Sequence, residues 1–313
     1  MEINIDQVKE KYKELKTLTK VAEYFDVSIE TIRHLFIANN IEYSKRQKYN
    51  CNHEFFSNHN ERSFYWAGFL AADGNIEKNS NRIKLELKST DKNHILKFKE
   101  DINCSAPMKY ATKHENREKF KKKEYYSVLL RFNSEQMVHD LEKFGVVPCK
   151  SRVFTIPEYV KSHKYFKHYI RGLIDGDGYL RKVKNSSEIN LSGTKVCVND
   201  VFNHLNNVLK LNYGFIIYRD DGLNIMRYSN FKDTVKIVDY LYANASIYLD
   251  RKYEIAKQIL EIKPRKISIE KEYLKMLLTK NNYKNQKTLA NKLGISVSTV
   301  IRRMKEYEYL IIN

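Results

Sequence analysis

The sequence predicts an α+β protein built on an internal duplication, with a small all-α unit at each end. Three observations predict it. A short apolar helix ending in one carboxylate occurs twice, as Trp66-Ala-Gly-Phe-Leu-Ala-Ala-Asp-Gly74 and as Ile170-Arg-Gly-Leu-Ile-Asp-Gly-Asp-Gly178. A constant offset of 104 residues places Gly68 over Gly172, Asp73 over Asp177 and Gly74 over Gly178, and self-similarity at fixed spacing marks a repeated structural unit. Each copy is followed by the same order of strand-like and helical stretches, which gives two pseudo-symmetric αββαββα halves. Both chain ends carry helix pairs with apolar faces at the helical period.

The 313 residues suffice for a well-buried core and more than one domain. Charge is the outlier, since 56 Lys+Arg against 38 Asp+Glu leave a net +18. That excess attracts a polyanion with steep salt dependence, so nucleic acid is the leading partner and a membrane surface the second. No apolar run is long enough to span a bilayer, and the opening residues lack the features of a secretion signal. A soluble, intracellular protein is expected. Cys51, Cys104, Cys149 and Cys197 are widely spaced without a CxxC pair, so neither a zinc ribbon nor a disulfide framework is indicated, and Cys51, His53 and His59 make only half a metal site.

Residues 1–44 read as a helix-turn-helix. Val21, Ala22 and Phe25 form one face, Asp26-Val27 the turn, Ser28 the N-cap, and Ile32, Leu35 and Phe36 point back to the core. Glu30, Thr31, Arg33 and His34 would then face a DNA groove, although any short helical hairpin has the same face pattern. Residues 45–60 are polar and aperiodic, as in a linker. The first half, 61–155, continues past its repeat helix into Arg82–Ser89. Its alternation turns Ile83, Leu85 and Leu87 inward and Arg82, Lys84, Glu86 and Lys88 outward. A helix capped by Asp91, strands Met108–His114 and Tyr125–Asn133 with Arg131, and a helix started by Ser134 follow; the charged loop Lys113–Lys123 joins the two strands.

The second half, 156–262, replays that order. Tyr179–Lys184 and Ser187–Leu191 read as strands, and Thr194–Leu209 as a helix. Tyr213–Arg219 and Leu223–Tyr228, with Arg219 and Arg227, form a hairpin turning at Asp220-Asp-Gly222, and a helix over Phe231–Leu241 comes next. Lys150 and Lys252 recur at nearly the same offset as the aspartates. Residues 263–268, with Lys263, Arg265 and Lys266, are a basic linker. Residues 269–313 hold a helix over Ile269–Thr279 and a second helix-turn-helix. There Leu289, Ala290 and Leu293 form a face, Gly294 the turn and Ser296 the cap, while Val300, Ile301 and Met304 pack and Ser298, Thr299, Arg302 and Arg303 face DNA.

The two repeat stretches resemble the LAGLIDADG motif of homing endonucleases, over roughly residues 60–262 as a single-chain, two-motif member. Small residues at Ala67, Gly68, Ala71, Gly172 and Gly176 would let the two motif helices approach closely. The resemblance implies a saddle of two antiparallel sheets on double-stranded DNA. It implies that Asp73 and Asp177, with the carbonyls of Ala72 and Gly176, bind Mg²⁺, for which Mn²⁺ would substitute. Lys150 and Lys252 would sit near the scissile phosphates. One phosphodiester per strand would be hydrolysed across the minor groove by a monomer needing no protein partner. Two meeting acids would repel each other without a cation between them. The motif is broken twice, by Ala71 where Asp175 keeps the sixth-position acid, and by Arg171 in place of a small residue. From Ala71 a slower first half is expected. The alternative function is a non-cleaving transcriptional regulator or intron-splicing cofactor on the same fold.

Overall fold

The computed structural model describes residues 4–43, 49–78, 80–115, 123–183, 186–211, 213–261 and 286–302. The chain divides into two compact units, Met1–Ile262 and Lys263–Asn313. The larger begins with α1 (Ile5–Leu15), α2 (Leu18–Tyr24) and α3 (Ile29–Ala38). Asn4, Thr17 and Ser28 cap these helices by accepting first-turn N–H groups. Asp26 takes the turn with a φ of 51°. Val8, Val21, Ala22, Ile32 and Phe36 form a small core of their own, on the faces that the spacing predicts.

The first αββαββα half is α4 (Glu61–Asp73), β1 (Gly74–Ile76), β2 (Arg82–Lys88), α5 (Lys92–Asp101), β3 (Lys109–Glu115), β4 (Lys123–Asn133) and α6 (Glu135–Lys143). After the short α7 (Glu158–Lys161), the second half runs α8 (Phe166–Asp177), β5 (Gly178–Val183), β6 (Ser186–Gly193), α9 (Lys195–Leu209), β7 (Gly214–Ile217), β8 (Asn224–Tyr228) and α10 (Phe231–Tyr242). It is followed by α11 (Asp250–Leu260). Each half holds a four-stranded antiparallel sheet, ordered β1-β2-β4-β3 and β5-β6-β8-β7. The predicted duplication is therefore present down to strand order. Ile83, Leu85 and Leu87 are buried as their alternation requires, and one core runs through both halves.

The halves meet where α4 crosses α8. A Cβ on Gly68 would overlap the carbonyl of Tyr169, and one on Gly172 the carbonyl of Tyr65. Tyr65 and Tyr169 are themselves related by the repeat offset, so the two contacts are symmetry mates. One turn further on, a Cβ on Gly176 would overlap that of Ala72.

Several sequence expectations need correcting. The polar stretch before α4 is no free tether, because Phe55 and Phe56 are buried in the main core and Asn60 makes a capping box with Ser63. Two scattered cysteines are neighbours: Asn52 N–H bonds to Ile102 O, which brings Cys51 Sγ to 2.7 Å from Cys104 Sγ as free thiols. In the same region His53 bonds Ser134 and His59 bonds Tyr159. Asp91 makes no side-chain cap and instead pairs with Arg251 at 3.0 Å. Strand β7 ends at Ile217, so Arg219 lies in the turn, paired with Asp221.

In the C-terminal unit a helix over Gln286–Leu293 is followed by Gly294 at φ 62° and by helical residues 297–302. Ser296 Oγ accepts from Thr299 N–H, and Ala290 and Val300 are buried. The expected helix at 269–279, the linker 263–268, Arg303, Met304 and the middle of the charged loop, 116–122, lie outside the described residues. No helix among the described residues is long and apolar enough to cross a membrane.

Replacing Gly68 or Gly172 with Ala should destabilise the protein by about 1–3 kcal/mol, the usual cost of overpacking. Gly193→Ala meets only ordinary van der Waals contacts and should be near neutral. Equal denaturant midpoints for all three variants would contradict this packing.

Candidate active site and nucleic-acid interface

Asp73 and Asp177 are the last residues of α4 and α8, and Gly74 and Gly178 turn the chain directly into the first strand of each sheet. Position in the fold, rather than hydrogen bonding, brings the acids together. A Cβ on Gly176 would lie 3.4 Å from Asp73 Oδ2, which puts the first carboxylate against the residue preceding the second. Both side chains remain open to solvent, yet protein packs densely around them. Burial first and the Asp177 charge second push the Asp73 pKa up to about 6. Burial likewise raises Asp177, against the pull of Lys150 and Lys252.

Helix C-termini concentrate unpaired carbonyls and partial negative charge, so two such ends carrying carboxylates need cations. The two lysines supply them from within the protein. Lys252 Nζ donates to the carbonyls of Ile174 at 2.6 Å, Asp175 at 2.7 Å and Gly178 at 2.7 Å, and approaches Gly176 O at 3.4 Å. Lys150 Nζ donates to Gly74 O at 2.5 Å, the repeat counterpart of Gly178. Both side chains are buried, so each ammonium is held by the backbone at the end of a motif helix. Burial lowers the pKa of Lys150, and lowers that of Lys252 to about 8.

Asp175, the acid at the sixth motif position, is wholly buried and its oxygens are taken. It accepts from Tyr65 OH at 2.8 Å, Tyr242 OH at 2.6 Å and Leu249 N–H at 2.8 Å. It thus ties α4, the end of α10 and the start of α11 to α8, and α11 carries Lys252. In the first half Ala71 stands in its place, and the symmetry-related Tyr169 OH donates to Phe144 O at 2.7 Å instead. The departure at Ala71 removes a scaffold hub, not a group beside the paired aspartates. Arg171 is also structural: it is buried and donates to the carbonyls of Ile247 and Leu241 and to Glu61 at 2.7 Å.

Each aspartate borders a cleft continuous with its sheet. A cleft of about 860 Å³ is lined by Asp73, Asn75, Lys84, Glu86, Lys88 and Arg251, among others. One of about 460 Å³ is lined by Asp177, Lys150, Ser192 and Leu223, among others. Strand pairing sets Arg82 opposite Asn133 and Lys84 opposite Arg131, so Arg82, Lys84, Glu86, Lys88 and Arg131 share one open face. Arg227 lies on the open face of the second sheet, paired with Glu188 at 2.9 Å. In α3, Arg33 is paired with Glu30 at 2.5 Å and His34 is exposed. Ser298 and Arg302 are exposed, whereas Thr299 is half-buried against Ser296.

Sequence reading missed Lys109 and Arg181, which strand register adds to the open faces opposite Leu129 and Glu188. Counting alternate residues along those strands would have found them. It also missed Arg251 beside Asp73, for which spacing gives no signal because the first half has Cys149 next to its lysine.

Among the described residues no cluster of three or more His, Cys, Asp or Glu could hold a metal. A divalent ion would therefore rest on the carboxylates of Asp73 and Asp177 and the carbonyls of Ala72 and Gly176. All are hard oxygen donors, and so few of them suit an ion that keeps several waters, as Mg²⁺ does. Burial and the Asp177 charge, which together raise Asp73, disfavour its bare carboxylate, and such an ion would offset both, so these residues fit it.

No curated protein matches the sequence. Residues 267–309 match the helix-turn-helix domain family. Similar solved structures include full-length DUF199/WhiA from Thermatoga maritima, at 15% identity and TM-score 0.41, covering 82% of this chain and 94% of that one. The homing endonuclease I-WcaI bound to its DNA recognition sequence is similar at 14% identity and TM-score 0.47, covering 64% of this chain and 90% of that one. The meganuclease I-SmaMI bound to uncleaveable DNA is similar at 12% identity and TM-score 0.43, covering 78% and 96%. Identities and TM-scores this low assign neither ligand nor activity.

The raised pKa of Asp73 has a thermodynamic sign. A carboxyl whose pKa is about 6 folded and 3.8 in the unfolded reference destabilises the fold above pH 6, and the penalty disappears as pH falls towards 3.8. Solvent access reduces that penalty. In EDTA at pH 7.5, Asp73→Asn should melt roughly 2–4 °C above wild type, the shift that ~1 kcal/mol gives in a domain of this size. The gap should close near the lower end of that range, and a gap independent of pH would contradict the assignment.

Proposed function

We propose that the chain is a sequence-specific, divalent-metal-dependent endonuclease of the homing type. It hydrolyses one phosphodiester in each strand of double-stranded DNA across the minor groove, acting as a monomer whose two halves supply one acid each. The observation that carries this is the convergence of Asp73 and Asp177. Each ends one of two helices in backbone contact, and each borders a cleft that opens from its own sheet. A Mg²⁺ or Mn²⁺ ion on these carboxylates would supply an activated water and polarisation of the phosphate. The protein's own residues do the rest. Lys150 and Lys252 fix the backbone from which the aspartates project and offset their charge. Arg82, Lys84, Lys88 and Arg131 hold the backbone of DNA lying on the first sheet, and the helix-turn-helix units lengthen the recognised site.

A second reading has one observation in its favour. The ammonium of Lys252 is engaged by backbone carbonyls, that of Gly176, an expected metal-site carbonyl, among them. A DNA-binding regulator or intron-splicing cofactor without cleavage would need no more than that.

The test starts from a duplex that the full chain selects from a randomised pool in EDTA. Adding Mg²⁺ should then break both strands, and Asp73→Asn or Asp177→Asn should slow this by about 100-fold or more, equivalent to ~2.7 kcal/mol in the barrier. Tight, selective binding with no cleavage in Mg²⁺ or Mn²⁺ would establish the second reading. Cleavage at the wild-type rate by either variant would remove these aspartates from the chemistry.

A further inference from the structure

The open faces of the two sheets differ in chemistry. On the first, Asn75 pairs with Lys84 and Lys84 with Arg131. The repeat-related row on the second is Tyr179, Asn190, Arg227 and Phe215. A neighbouring row there is Ser192, Ile225 and Ile217. Ile189, Leu191 and Met226 are buried on the opposite face, so these rows lie on the open one. Tyr179 is 50% exposed, Phe215 46% and Ile217 36%. On the open face of the first sheet, register places half-buried Leu129 between Glu86 and Lys109; exposed Tyr110 and Tyr126 pair with buried Val128 and exposed Thr112 and belong to the other face. Arg227, the cation in the second sheet's central row, is engaged by Glu188 and Asn190, as Arg82 at the end of β2 is by Glu77 and Asn133.

The apolar rows are continuous with the candidate active site, since Ser192 of the second row also lines the cleft of Asp177. A duplex reaching that carboxylate would lie over them. In the major groove the thymine methyl is the apolar feature that a base pair offers. Guanine and adenine edges need donors, and a polar edge covered by Ile or Phe loses its water without a replacement.

We propose that the two halves of the DNA target are unequal. The second sheet reads a thymine-rich half through base methyl groups packed on Phe215, Ile217 and Ile225. The first sheet holds its half through phosphates and purine acceptors facing Arg82, Lys84, Lys88, Lys109 and Arg131. This rests on the DNA reading above, and it specifies the substrate of that site.

The selected duplex is rebuilt with deoxyuridine for thymine in one half at a time, which removes only methyl groups, and dissociation constants are measured in EDTA. In one half, each critical methyl should be worth about fourfold in affinity, as a transfer free energy of ~0.8 kcal/mol implies. In the other half the substitution should leave binding unchanged. Phe215→Ser and Ile217→Ser should lose that uracil sensitivity, and because both positions are exposed the substitutions leave the core intact. Uracil without effect in either half would overturn the inference while leaving the cleavage reading standing. So would variants that bind every duplex as wild type does, which would give the apolar face to a protein partner. If no duplex is enriched from the pool, the DNA reading itself fails, and this inference with it.

Discussion

Backbone contact between two helices sets the geometry of the larger unit. Gly68 lies against Tyr169 and Gly172 against Tyr65, and at neither glycine is there room for a single added carbon. Since an aspartate ends each helix, the separation of the helices decides the separation of the carboxylates. Since a strand starts at the next residue, the same crossing also places the two sheets on either side of the acids.

Closeness of this kind concentrates negative charge, from two carboxylates and two helix C-termini at once. The protein answers with buried cations rather than surface ones. Lys252 closes the end of α8 by bonding its terminal carbonyls, and Lys150 bonds Gly74 in the other half. Asp175 secures the arrangement from below, because its bonds to Tyr65, Tyr242 and Leu249 fix α11, the helix that presents Lys252. A buried, fully engaged polar network of this sort loses most when one member is removed, since the others are left unpaired. The halves are not electrostatic copies, however. Arg251 stands by Asp73, while Cys149 holds the corresponding place in the first half.

Much of this was legible in the residues. The constant offset between Asp73 and Asp177 gave the duplication, and strict alternation from Arg82 to Lys88 gave a strand with a basic face. The small residues of the repeats gave close helix packing. What stayed hidden depends on long-range packing that periodicity does not encode. Lys150 and Lys252 look like surface lysines because their carbonyl partners lie more than seventy residues away. The sixth-position asymmetry of Ala71 and Asp175 is plain in the sequence, but the partners of the acid, Tyr65 and Tyr242, are not. Cys51 and Cys104, distant in sequence, meet because the segment before α4 packs into the core instead of trailing as a linker. The contrast between the sheets follows from cross-strand register, which sets Phe215 opposite Arg227 and which no single strand reveals.

Under the proposed function both halves feed one shared oxygen-ligated centre. Anomalous scattering at the manganese edge, from crystals of the full chain with its selected duplex and Mn²⁺, tests it most directly. Manganese should then be bound to the carboxylates of both Asp73 and Asp177, between the protein and the DNA phosphates. Manganese absent from these side chains while the duplex is seated on both sheets would contradict it.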